Sequence, residues 1–98
     1  MSKAALKSQT LTVSGATAPI NTSYIILDRS TDITVLLLDG TVVGELKVFT
    51  NKGAGEGIID PQNFGNGQVV QLETNSTVTM LWDGDNWLVQ SSFGARVV

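Results

Sequence analysis

The sequence predicts an all-β fold: a compact antiparallel β-sandwich or β-barrel of about eight short strands, preceded by a short N-terminal arm. Three observations predict it. Apolar residues recur with a period of two, most clearly between Gln71 and Trp82, where Leu72, Val78, Met80 and Trp82 share a face and Thr77 and Thr79 fall on the other. The candidate strands are rich in Val, Ile, Thr and aromatic residues. Turn formers separate them, and ten Gly and two Pro supply the punctuation.

The elements follow in order. Residues 1–10 read as an arm, because Ser2 to Lys7 has the composition of one helical turn but is too short to hold a helix alone. Residues 11–98 then form a single β domain. Strands are expected at Gln9–Val13, Tyr24–Leu27, Ile33–Leu38, Gly44–Thr50, Gly57–Asp60, Gln68–Glu73, Gln71–Trp82 and Trp87–Ser91. Asp39-Gly40 can supply the positive φ of a hairpin between Ile33–Leu38 and Gly44–Thr50. Gly65-Asn66-Gly67 serves as a turn before Gln68, and Asn75-Ser76 as a turn between Leu72 and Val78. Asp83-Gly84-Asp85-Asn86 links the strand ending at Trp82 to the one opening at Trp87. The run Val35 to Leu38 has no polar interruption. It describes either a strand wholly interior to one subunit or one covered on its second face by a neighbouring subunit. Val35, Leu37, Val48, Ile59, Leu72, Val78, Met80 and Trp82 are the expected core.

A chain of 98 residues buries about 64% of its unfolded surface on folding, a thin core that is commonly reinforced by disulfides, metals or partner subunits. There is no Cys and no His, which removes crosslinks and the common soft metal ligands and leaves self-association as the available device. A net charge of −3, with six scattered Lys and Arg and no basic run, argues against a nucleic-acid partner. No segment approaches the roughly 18 consecutive apolar residues of a membrane span. The N-terminus lacks the apolar core of a signal peptide, so use without secretion is expected.

Catalytic chemistry finds little purchase, and the chain is expected not to be an enzyme. Without His or Cys, the usual general base and thiol nucleophile are missing. The carboxylates, among them Asp28, Asp32, Asp39, Asp60 and Asp83, fall mostly at turns and strand ends, where Asp bonds its own backbone. The glycines of Asn51-Lys52-Gly53-Ala54-Gly55-Glu56-Gly57 match neither phosphate-loop spacing, so the segment reads as a flexible loop. Asp83, Asp85 and Asn86 have the oxygens of a Ca²⁺ site but lack the bidentate Glu, and a tight hairpin explains the same letters. Asn75-Ser76-Thr77 matches the glycosylation acceptor, yet no sugar is expected on a chain used without secretion. No metal or other cofactor is expected. Trp82 and Trp87 are either core residues or a stacking platform for carbohydrate.

Around this hairpin, Leu81-Trp82-Asp83-Gly84-Asp85-Asn86-Trp87-Leu88-Val89, followed by Ser91-Ser92-Phe93-Gly94-Ala95, resembles the end of a small β-rich module of tailed-phage virion proteins. Gly44-Glu45-Leu46-Lys47-Val48, Ile58-Ile59-Asp60-Pro61 and Gly67 to Leu72 resemble its preceding strands, so the likeness runs from about Tyr24 to Ala95. The resemblance implies a contact device, found in head-decoration and in tail-fibre proteins and commonly trimeric, with no catalytic residues. It implies a capsid decoration (cement) protein on the outer capsid surface of the virion, assembled in the host cytoplasm. Its partners would be the major capsid protein and itself as a homotrimer. The alternatives are a tail-fibre or adaptor component and a carbohydrate-binding β-module. On this view Lys3, Leu6 and Lys7 of the arm, together with Trp87, Phe93, Arg96, Val97 and Val98, are the candidate partner contacts.

Overall fold

A computed structural model describes residues 5–98, and Lys3, expected as a contact, lies outside the described residues. The strands are β1 (Ser8–Leu11), β2 (Ala16–Thr17), β3 (Tyr24–Leu27), β4 (Ile33–Leu37), β5 (Leu46–Asn51), β6 (Gly57–Pro61), β7 (Val70–Trp82) and β8 (Trp87–Val97). The described residues contain no helix. All eight strands belong to one strongly curved, barrel-like sheet in the order β1-β3-β5-β7-β6-β4-β2, with β8 added to β7. The expected all-β class and strand number hold.

The pairing is mixed rather than antiparallel throughout. β1, β3 and β5 stack in parallel on one side, and β2, β4 and β6 stack in parallel on the other. The chain therefore winds in flat coils, each giving one strand to each side. β7 crosses the bottom of both stacks, pairing antiparallel with β6 through Val70–Leu72 and with β5 through Thr77–Leu81. β8 folds back antiparallel along β7. Asp39-Gly40 consequently makes no hairpin between β4 and β5, because the segment after β4 carries the chain from one stack to the other. Gly40 is required there for another reason: a Cβ would run into the ring of Trp82. Alternating apolar residues between Gly-containing connections look the same in a hairpin and in a coil, so period alone did not separate them.

Two expected strands, Gln68–Glu73 and Gln71–Trp82, merge into β7, and the expected turn between Leu72 and Val78 is a bend within that strand. The bend uses Asn75 at φ 67° and, opposite it in β8, Gly94 at φ 73°, with a register shift between Leu72 and Thr77. At the other end, Ser8–Leu11 pairs with Tyr24–Leu27, and the Tyr24 N–H donates to the Lys7 carbonyl at 3.1 Å. The sheet thus begins inside the segment read as an arm.

The core lies between the stacks. Ile25, Leu27, Ile33, Val35, Phe49, Ile59, Val70, Leu72, Val78, Met80 and Trp87 are buried to the last few square ångströms. Every expected core residue is among the buried ones except Val48, which is half-buried and points out of the sheet. Leu36 also points outward, 38% exposed between buried Val35 and Leu37. The VLLL strand is therefore not interior on both faces within this chain.

The glycine-rich segment is a stacked corner, not a free loop. Gly53, Gly55 and Gly57 are buried, and a Cβ on Gly53 or Gly55 would enter the backbone of Arg29 or Thr31 in the coil above. Only glycine lets the two corners approach this closely. Asn51 is fully buried inside the corner; its Nδ2 donates to the carbonyls of Gly55 and Leu72, both at 2.8 Å, and its Oδ1 accepts from the Gly53 N–H at 3.1 Å. The Cα radius of gyration is 12.5 Å, matching the roughly 12.6 Å of a globular domain of this length, so the coils do not extend into a rod.

Candidate contact surface

Two regions carry the exposed members of the expected contact set. The first surrounds Leu6. Its side chain, 57% exposed, lines a shallow cavity of about 370 Å³ with Ser23, Glu45, Leu46 and Val48. A neighbouring hollow of about 380 Å³ shares Ser23, Glu45 and Leu46 and adds Ile20, Val42 and Val43, all well exposed. Lys7 is exposed beside Leu6.

The floor of this region is fixed by Lys47. Its stem is buried from the inner side of β5, and its Nζ donates to the carbonyls of Pro19 (2.7 Å), Ile20 (3.1 Å) and Thr22 (2.8 Å). Three ammonium protons meet three acceptors, so the 19–22 loop is pinned without any side-chain partner. Burial pushes the ammonium below its ordinary range, and the charge of Glu45 opposes that only in part.

The second region is the outer strand β8. Phe93 stands 75% exposed at the bend. Arg96, on the far side of that bend, directs Nε and Nη2 onto Gln71 Oε1 at 3.1 and 2.6 Å. Val97 and Val98 are exposed, and the Val98 backbone exchanges hydrogen bonds with Val69 and accepts one from Gln68. The structure thus splits the expected contacts between the bend and the C-terminal end of β8 and the Leu6 region, and does not gather them into a single pocket.

Trp87 leaves the contact set. It is fully buried, its Nε1 donates to the Leu38 carbonyl at 2.8 Å, and its ring packs 5.5 Å from that of Trp82 at 56°. Its cross-strand partner in the hairpin is Trp82, which lies on the inner face of β7, so both indoles close the core. Neither ring shows a face on which a sugar could stack. The acidic hairpin is similarly occupied: Asp83 Oδ1 accepts from the N–H groups of Asp85 (2.8 Å) and Asn86 (2.7 Å), which holds that carboxyl below its ordinary range. Among the described residues no three His, Cys, Asp or Glu side chains gather as metal ligands would.

Ile20, Val42, Val43 and Leu46 were missed from sequence. Their signal was present, since Val42-Val43 is an apolar pair inside a Gly-bounded connection where polar residues are the norm. No known protein family matches the chain, and a search of curated proteins finds no significant relative.

Proposed function

We propose that the chain is a non-catalytic contact module of a tailed-phage virion, and that it acts as a capsid decoration protein. One observation carries the proposal. The fold commits its buried polar side chains internally, leaving none without a partner among the described residues, yet holds Leu6, Ile20, Val42, Val43 and Leu46 in water. Apolar groups fixed outside a thin core are suited to binding a larger body. Many copies on a repeating shell would add weak contacts through multivalency, and selective binding to the mature lattice would stabilise that lattice by linkage. The virion setting itself rests on the resemblance of the 44–48, 58–61, 67–72, 81–89 and 91–95 segments to the phage module.

The test is quantitative mass spectrometry of purified particles. Hundreds of copies in heads and none in tails fit decoration, and heads lacking the protein should release their genome at a lower temperature. Equal heat stability with and without it would overturn the cement role. A tail-fibre or adaptor role is favoured by one feature, the coil end at β1 and β2, where each strand has a neighbour on one side only. Stacked-coil folds need capping at such ends, and another virion component could provide it. A few copies per particle, confined to tails, would select that role.

A further inference from the structure

One outer face of the sheet carries no charge. In β1, β3, β5, β7 and the first part of β8, the residues alternating with the buried rows point away from the core. Across the strands they form a Leu46–Leu81–Leu88 row, a Tyr24–Val48–Thr79–Ser91 row and an Ile26–Thr50–Thr77–Phe93 row, continued on β1 by Ser8 and Thr10. None of the chain's six basic and nine acidic residues stands in these rows. The opposite outer face does carry charge, at Asp60 and Arg96. A sheet face kept in water normally alternates apolar-in with polar or charged-out, and loss of charged residues with retention of aromatics is the compositional mark of an interface core.

Three hydroxyls at the centre of this face are already committed. Tyr24 OH donates to Thr50 Oγ1 (3.0 Å), Thr50 Oγ1 to Thr77 Oγ1 (3.3 Å), and Thr77 Oγ1 to the Phe49 carbonyl (3.0 Å). Removing water from these groups therefore leaves few donors or acceptors unpaired. The face also runs into the Leu6 region, because Leu46 and Val48 line the same cavity as Leu6, and the first charges, Glu45 and Lys7, stand there at its rim.

We propose that this charge-free face is a self-contact surface, buried against the same face of other copies of the chain around a common axis. It deepens the self-association half of the reading above and does not need the virion half. The choice of occupant follows from charge. A neutral face set against itself strands no ion away from water, whereas a charged partner would lose solvation with no counter-charge to meet it. The net charge of −3 sits elsewhere on each copy, so a symmetric contact brings like faces together without like charges. The size is of the right order: five strands about 4.8 Å apart, from about 13 Å long in β1 and β3 to about 23 Å in the first part of β8, give roughly 400 Å² of plane. The adjoining Leu6, Ile20, Val42 and Val43 extend that toward the roughly 800 Å² per partner of a stable interface.

The test is the solution mass of the full-length chain by light scattering or sedimentation equilibrium. The wild type should give a mass of two or more times 10.4 kDa, as a whole multiple. Phe93→Glu and Ile26→Lys should each drop the mass to one chain while the far-ultraviolet spectrum and the fluorescence of the buried Trp pair stay as in the wild type. Phe93 is so exposed that its replacement keeps the test open even if Ile26→Lys fails to fold. Leu36→Lys, on the opposite face, should leave the mass unchanged. A wild type that stays monomeric at about 100 μM, so that any Kd lies above the micromolar range, overturns the proposal. So does an oligomer that survives Phe93→Glu and Ile26→Lys or dissociates with Leu36→Lys. Particle copy number is read independently, so loss of the virion role and loss of this contact are separate results.

Discussion

Lys47 holds three main-chain carbonyls with one ammonium, and its replacement shows how such a group works. Lys47→Met keeps most of the stem's volume but leaves the carbonyls of Pro19, Ile20 and Thr22 without their donor. A loss of about 2–3 kcal/mol is expected from urea unfolding, the scale of hydrogen bonds to a charged group. The pH dependence has a definite sign. Because the native ammonium titrates below 10.5, the unfolded chain binds more protons between the lowered value and 10.5. Stability contributed at this site therefore rises with pH through that window, and the slope should vanish in Lys47→Met. Asp83 has the opposite sign. Its native carboxyl titrates below 3.8, so its contribution is present above that value and is lost as pH falls through the lowered one. Asp83→Ala should remove that acid-limb dependence and loosen the 83–86 turn, while Asp83→Asn, which keeps the acceptor, should retain the turn; thermal scans between pH 2 and 5 separate them.

At the scale of elements, the stacked corner makes the sharpest prediction. Gly55→Ala puts a methyl into the Thr31 carbonyl, which is backbone and cannot swing aside. A loss of about 3 kcal/mol or more is expected, at the upper end of overpacking. Gly15→Ala, at φ 89° with open space around it, should lose only the roughly 1–2 kcal/mol of a left-handed backbone. Parallel denaturation curves of the two variants check the contrast. The same corner marks how far sequence reading reached. The strands were legible because a buried row writes itself as every second letter, and Val78, Met80 and Trp82 are plain. Their partners were not, because parallel neighbours such as Tyr24 and Val48 stand far apart in the chain with no turn motif to join them. Gly53 and Gly55 looked like slack, since nothing in their letters tells a loop from a corner pressed against another corner. Of the expected contact residues, Leu6 and Phe93 do stand exposed, as apolar groups near the ends of the pattern would. Trp87 was over-read, because an indole at a hairpin serves a core and a surface equally well until its neighbours are placed.

For the whole molecule, thinness of the core and neutrality of one face belong together. The chain buries a single layer of side chains between its stacks and has neither crosslink nor sulfur ligand. Covering the Tyr24–Phe93 face with other copies would enlarge the buried apolar surface, and binding of native chains to one another raises stability by mass action. The midpoint of thermal unfolding should accordingly climb with protein concentration in the wild type and be flat in Phe93→Glu. A concentration-independent midpoint in both would place all the stability within one copy.

Chain order gives β7 a further significance. The ladder β1-β3-β5 and the ladder β2-β4-β6 are joined edge to edge through this strand, and all six of their strands precede it in the chain. The local windings therefore come before the strand that unites them, and the interior cannot shut until β7 is in place. β8 then adds a long antiparallel partner to the bridging strand. Stop codons placed after Trp82 should yield a chain that exposes apolar surface, binds a hydrophobic dye and is cleared by proteases, although every coil is present.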